Sequence, residues 1–292
     1  MAAGAAGGGL GPRLAALLPW VFVAGFFAFI LAFLVGPTLA LAVQAFAGPH
    51  GFTLHYVREL GSFNNRLAFE NSLIVAVASA LVGLVAGGLI ANAMLQPGAP
   101  DWLRSLVSSF AAVAANFAGV PLAFAFIATY GTLGVFTLFL KALGVDLYGL
   151  GFSLYSLTGL TLTYAYFQIP LMVIIFIPAL EGLRQEWREA AANLGATRLG
   201  FWRHVGLPVL APSLLAAFVL LFGSGFSAYA TAYALTAGNI ALVTITISNV
   251  LSGNVMLAPQ VGAALSVGMI AVMVVLILLY ALASRRAARW RR

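Results

Sequence analysis

The stretch "REAAANLGATRLGFWRHVGLP", Arg188 to Pro208, is charged where the rest of the chain is not. Only 7% of the 292 residues are Asp, Glu, Lys or Arg, yet seven of them fall between Glu181 and Arg203. Around it, Leu183, Trp187, Ala191 and Leu194 recur at helical spacing and predict one apolar stripe on a short helix. Glu181 with Gln185, and Gln185 with Glu189, fall i to i+4 on the other side, beside Arg184 and Arg188. Gly195 suits the left-handed residue that ends a helix, and Thr197 is placed to cap the next. A second short helix, "RLGFWRHV", then leads into "GLP", with Pro208 in the first turn of a long apolar run. The expected shape is a bent pair of short helices outside any membrane. It suits either docking to a partner or lying on a lipid surface with Trp187, Phe201 and Trp202 at the headgroups.

Outward from this segment the chain is apolar. Hydrophobic residues make up 63% of it and the mean hydropathy is +1.05, more than a water-facing surface carries. A bilayer core about 30 Å thick needs about 20 apolar residues per helical span. Stretches free of charge run over residues 14 to 57, 71 to 100, 105 to 140, 147 to 180 and 204 to 284. The last is long enough for two spans separated by "TAGN" (Thr236 to Asn239) and "SGNVMLAP" (Ser252 to Pro259), both rich in turn formers. Six helices are expected, near 17 to 43, 71 to 95, 104 to 129, 157 to 180, 209 to 235 and 260 to 283. The fold class is all-α, a polytopic membrane protein. Residues 1 to 13 read as a disordered Gly/Ala tail, 14 to 284 as the membrane domain with its loop at 181 to 208, and 285 to 292 as a basic tail.

With the N-terminus inside, 11 of the 14 basic residues lie on the cytoplasmic side, and Arg58, Arg66 and Lys141 lie outside. The positive-inside rule therefore expects both termini in the cytoplasm. The net charge of +7 is concentrated in "RRAARWRR" directly after the last span, which reads as a topology anchor on anionic headgroups and not as a nucleic-acid site. The absence of cysteine excludes disulfides, thiolate catalysis and Cys-ligated metals.

No G-x-x-x-x-G-K-[ST] phosphate loop is present, and the only lysine, Lys141, sits in "TLFLKALG". None of the six expected spans holds a central carboxylate or Arg, the groups that ion-coupled carriers retain at a cost of several kcal/mol. His50, His55 and His204 have no metal-ligand spacing. The polar residues within the apolar runs include Asn92, Asn116, Gln168, Ser224, Ser227, Tyr229, Thr231 and Tyr233. Those in "FGSGFSAYATAYA" (Phe222 to Ala234) suit either close helix contact or the wall of a polar path. Asn116, Gln168, Ser224, Ser227, Tyr229 and Thr231 are the candidate path residues.

The order Glu189-Ala190-Ala191, three residues, Gly195, nine residues, Val205, one residue, Leu207-Pro208 resembles the E-A-A-x3-G-x9-I-x-L-P signature of permease subunits of bacterial ATP-binding cassette importers. Val205 for Ile is its one departure. "FENSLIVA" (Phe69 to Ala76) also resembles the start of the shared permease core, so the resemblance covers about residues 68 to 283. It implies a type I importer permease fold in the bacterial inner membrane. It further implies a coupling helix in which Glu189 meets a basic residue of a separate ATPase, Ala190 and Ala191 permit close approach, and Gly195 makes the bend. Arg188, Leu194, Leu207 and Pro208 complete the candidate coupling surface. ATP and Mg would be bound by two copies of that ATPase, and this chain would hold no cofactor. A second permease, identical or paralogous, and an extracytoplasmic solute-binding protein are implied as further partners. "YAYFQIPLMVIIFIPALEGL" (Tyr164 to Leu183) resembles the polyamine, ferric iron, thiamine and phosphonate group, with polyamine the first expectation. A stand-alone secondary carrier or channel, suggested by the polar fifth span, is the alternative.

Overall fold

The computed structural model describes residues 12–49, 51–96, 98–252 and 259–288. The expected turn Gly253 to Ala258, His50, most of the N-terminal tail and the last four residues lie outside that set. Among the described residues there are fourteen α-helices and one two-stranded hairpin. Six helical segments are long and apolar enough to cross a membrane: Trp20–Ala45, Phe63–Met94, Val120–Ala142, Leu157–Glu181, Arg198–Ser227 and Pro259–Arg285. The protein is a multi-pass membrane protein with the six spans expected.

The first span is α1 (Pro12–Ile30), a π-helical turn over Leu31–Val35, and α2 (Gly36–Ala45). It begins within the stretch expected to be tail. A small hairpin, β1 (Ala47–Gly48) and β2 (Gly51–Phe52), stacks Phe46 on Phe52. The short helix α3 (His55–Arg58) then leads into α4 (Phe63–Met94). Next come α5 (Asp101–Asn116), α6 (Val120–Tyr130), α7 (Val135–Ala142) and α8 (Leu157–Glu181). The charged segment holds α9 (Gln185–Asn193) and α10 (Arg198–Phe201). The remainder is α11 (Leu207–Ser227), α12 (Ala230–Thr236), α13 (Val243–Leu251) and α14 (Pro259–Ala288). Arg285, expected to open a basic tail, is still helical.

The core is the α4–α8 pair with α11 laid across it. Lipid tails are as apolar as leucine, so burying side chains does not drive helices together there; close van der Waals packing does. Small residues on α4 provide it. A Cβ on Gly83 would lie 2.9 Å from Gln168 Cβ, and one on Gly87 would lie 2.5 Å from the Ile169 carbonyl oxygen. Gly83 and Gly87, four apart on one face, let the α8 backbone come close. Met172, Val173, Phe176, Leu221 and Phe222 fill the buried cluster around this contact. The first span joins the core through α2, where Ala45 meets Ala263 and Ala264 of α14 with no exposed surface.

Two expected spans are broken. The run expected as one helix over 104 to 129 ends at Asn116 and restarts at Val120, because Gly119 takes φ +78° and Pro121 has no N–H to continue the ladder. The crossing segment is α6 with α7, displaced toward the C-terminus. The span expected over 209 to 235 stops at Ser227, where Ala228 is extended, and resumes as α12.

Non-helical backbone at membrane depth must find partners inside the protein. Here it does. The Gly119 N–H donates to Thr231 Oγ1 at 2.8 Å, joining one break to the other, and the Tyr164 hydroxyl donates to the Ala228 carbonyl at 3.0 Å. Thr231→Val removes the only acceptor seen for a part-buried N–H. It is expected to cost about 1–3 kcal/mol, checked by thermal unfolding of the solubilised protein.

The turn expected at Thr236 to Asn239 is present, with Ala237 at φ +49° and Gly238 at φ +78°. Beyond this turn the chain forms another helix instead of a plain loop. Helix α13 packs on α14 and α4, burying Val243 and Ile245. Its entrance is tied to α4: Asn71 Nδ2 donates to the Ala241 carbonyl at 3.0 Å, and the Val243 N–H donates to Ser72 Oγ at 3.0 Å. The Asn-Ser pair of "FENSLIVA" is thus a clasp on the re-entering chain.

Candidate coupling surface and path residues

The charged segment leaves the membrane end of α8 through Gly182, Leu183 and Arg184 and forms α9 at once. Leu183 turns inward and is buried, anchoring the start. Glu181 ends α8 and Gln185 begins α9, so the expected Glu181–Gln185 pair on one helix does not form. The second pair does: Gln185 Nε2 donates to Glu189 Oε1 at 2.9 Å.

The bend is built as the glycine implies. The Gly195 N–H donates to the Ala192 carbonyl and the Ala196 N–H to the Ala191 carbonyl, both at 2.9 Å, a Schellman closure with Gly195 at φ +77°. No atom lies within 4 Å of a Cβ added there, so glycine is required by backbone conformation and not by space. Thr197 caps α10, accepting from the Gly200 N–H at 3.1 Å.

The expected second short helix is not separate. From α10 the chain passes through a π-helical turn at Trp202–Gly206 straight into α11, with Pro208 in its first turn. Gly206 permits this turn, since a Cβ there would lie 2.6 Å from the Trp202 ring.

The loop is braced on its membrane side. Arg198 Nη2 donates to Gln96 Oε1 at 2.6 Å, and Gln96 Nε2 in turn donates to the Asn92 carbonyl and Oδ1. Arg104 Nε donates to the Met94 carbonyl at 2.8 Å, closing the end of α4. Arg188 lies over the buried Phe201 ring, 5.7 Å from its centroid, and Arg184 over Trp187 at 5.9 Å.

The other side is open. Glu189, Ala190 and Gly195 are exposed and Ala191 is half-buried. Leu194 is 88% exposed and Leu199 78%, two leucines standing in solvent at the tip, while Leu207 and Pro208 are exposed at its base. An acidic side chain, small residues and a projecting leucine are accessible along the loop, with Glu189 lining a cavity beside Asn92 and Arg104 and Ala191 one beside Gln96 and Arg198. Such a surface suits close backbone approach by a partner, with one charge-assisted contact. Sequence reasoning did not single out Gln96, although its place before Pro97 at the end of a span marked a helix terminus in need of a partner.

The six path candidates separate. Gln168 is fully buried where α4, α8 and α11 meet; its Nε2 donates to Ser79 Oγ at 3.0 Å, and a Cβ on Gly225 would lie 2.7 Å from it. Thr231 is the buried bridge between the two breaks. Ser224 is half-buried on α11. Asn116 and Ser227 are exposed at the ends of α5 and α11, each bonded back to its own helix. Tyr229 accepts from Ser248 Oγ of α13 at 2.9 Å and stacks on Tyr233 at 5.4 Å, so the polar stretch meets α13.

Six spans around a close α4–α8 pair, with one bent loop between the fourth and fifth, are the fold of a type I importer permease. The chain is similar over 93% of its length to a transmembrane chain of a bacterial importer of the acidic polysaccharide alginate, with a TM-score of 0.73 at 19% identity. It also matches a chain of the inward-facing MetNI methionine transporter over 75% of its length, with a TM-score of 0.56 at 17% identity.

Its sequence relatives are permeases as well. The sulfate transport system permease protein CysT of Salmonella typhimurium is 41% identical over 90 residues, 31% of this chain and 32% of that protein. The thiamine transport system permease protein ThiP of Escherichia coli is 28% identical over 163 residues, 56% of this chain and 30% of that protein. The matched region thus spans about a third of the length of these curated relatives. No family model matches the chain.

Proposed function

We propose that this chain is the membrane-spanning subunit of an ATP-driven solute importer, and that residues 181–208 are the surface through which a separate ATPase moves it. The carrying observation is the braced, bent loop, which leaves Glu189, Ala190 and Leu194 exposed and Ala191 half-buried at the end of two core helices. A push on α9 passes through the Arg198–Gln96 bond to α4 and through the continuous helix 198–227 into the fifth span. Rigid displacement of packed elements is how such a push becomes a change of access. ATP and Mg belong to the partner, and this chain performs no chemistry.

One chain carries one such loop, which supports an assembly of two permeases with two ATPase copies and an extracytoplasmic binding protein. The excess of arginine on the loop's side of the membrane supports cytoplasmic termini and residence in a bacterial inner membrane. Asn116, Ser227 and Tyr229, which keep exposed surface at the helix breaks, are the path residues this reading retains.

Polyamine, first suggested by Tyr164 to Leu183, gains no support from the relatives, whose names are for sulfate and thiamine. Those two solutes are the first to assay. The test is uptake into proteoliposomes holding this chain, its ATPase and its binding protein. Uptake that requires all three and ATP is expected, and uptake by this chain alone would establish the carrier alternative instead.

A further inference from the structure

We propose that the chain binds one anionic phospholipid at the root of the loop, with an acyl chain against α4 and the phosphate between Arg188 and Arg198. Leu84, Gly88 and Asn92 recur every four residues along α4, and Gln96 continues the stripe just beyond its end, hydrogen-bonded to Asn92. The first three line an apolar groove of about 380 Å³, walled opposite by Trp202, Leu207 and Leu210. Gln96 lines a pocket of about 300 Å³ with Arg188, Thr197 and Arg198, its other walls being alanines, Phe201 and Trp202. Trp202 is a wall of both.

An apolar trough therefore ends in a basic pocket along one stripe of one helix. From Leu84 to Gln96 the stripe runs about 18 Å at 1.5 Å per residue, against a half-bilayer hydrocarbon depth of about 15 Å. That is the reach of one acyl chain from leaflet interior to headgroup, with an indole at the level where Trp side chains settle.

Charge selects the headgroup. Arg188 faces the Phe201 ring and Arg198 the neutral Gln96 amide, and among the described residues neither has a carboxylate within ion-pair distance. Glu181 and Glu189 line a neighbouring cavity that also includes Arg188, but not the one shared with Arg198. Two guanidinium groups around one pocket fit a phosphate monoanion, whereas a zwitterionic lipid brings its own cation into the same space. The inference concerns this chain and its bilayer and does not rest on the ATPase reading.

The test uses the full chain with Trp202 as its only tryptophan, in phosphatidylcholine nanodiscs doped with acyl-brominated phosphatidylglycerol or acyl-brominated phosphatidylcholine. Half-quenching of Trp202 is expected at a fraction of brominated phosphatidylglycerol at least fivefold lower than of brominated phosphatidylcholine. Arg188→Gln, which gives up only a ring contact, should reduce that preference, and the further change Arg198→Gln should abolish it. Gly88→Leu should abolish it by filling the trough, since the nearest atoms to a Cβ there are side-chain atoms of Met172 and Phe176 at 3.6 Å or more. Equal quenching by the two lipids, an unchanged preference in Arg188→Gln, or no quenching by either because a second subunit covers the groove would each overturn the proposal.

Discussion

Gly87→Leu is expected to leave little folded chain in the membrane, while Gly88→Leu, one residue on, is expected to accumulate normally. At Gly87 the first added atom would sit 2.5 Å from the Ile169 carbonyl oxygen and 2.6 Å from Met172 Cβ. One of these is backbone, so α8 itself must move away from α4, along the most extensive helix contact in the molecule. Over-packing a well-fitted core typically costs about 1–3 kcal/mol, and a clash with backbone falls at or beyond the upper end. The separation also breaks the bond from Gln168 Nε2 to Ser79 Oγ across the same interface, in a buried amide whose Oε1 has no partner among the described residues. At Gly88 the neighbours are side-chain tips at van der Waals distance. Membrane abundance and the size-exclusion profile of the two variants separate these outcomes.

Glu189→Lys is expected to abolish ATP-dependent uptake without changing abundance or melting temperature. The carboxylate is solvent-exposed, and its one hydrogen bond in the structure is from Gln185, itself exposed on the same short helix. Losing that bond costs the fold little, because exposed i,i+4 contacts contribute about 0.2–0.5 kcal/mol. If the proposed coupling brings a basic partner residue to Glu189, reversing the sign replaces attraction by repulsion at close range. Uptake assays paired with thermal unfolding check both halves of this expectation, and Glu189→Gln should fall between wild type and Glu189→Lys.

Much of this architecture was legible in the chain. Apolar runs bounded by charges gave the number of spans, because lipid imposes both length and composition on anything that crosses it. The bend at Gly195 and the cap at Thr197 were legible because each depends on one residue's local chemistry, a left-handed φ in one case and a side-chain acceptor in the other. The breaks at Asn116–Gly119 and Ser227–Tyr229 were not, since no charge interrupts either run and their backbone groups are satisfied by Thr231 and Tyr164, far away in sequence. Helix α13 was hidden for a related reason. Val243, Ile247 and Val250 carry a helical period, but the stretch is too short to span and lies between two sequences rich in turn formers. The Gly83-x-x-x-Gly87 spacing was present in the sequence, and only the structure gives it a partner.

The candidate surface divides in the same way. Glu189, Ala190, Ala191 and Gly195 were readable as a pattern, and the structure adds that Glu189, Ala190 and Gly195 are exposed on one braced bend with Ala191 half-buried. The brace itself, Arg198 to Gln96, joins residues 102 positions apart and left no mark in local sequence. The path residues were chosen for being polar within apolar runs, a criterion that cannot tell a helix-junction amide such as Gln168 from an exposed serine such as Ser227.

The chain contains no cysteine, so a single introduced thiol reports on one place only. Leu194→Cys, at the exposed tip of the loop, should form a covalent adduct with a cysteine placed in the groove of the cognate ATPase, at a yield that changes when ATP is bound. Leu150→Cys, also exposed but in the segment between α7 and α8, should form none. An adduct from Leu194 that responds to nucleotide is the predicted result; no adduct from Leu194, or the same yield from both positions, would contradict the claim that this loop couples the membrane spans to an ATPase.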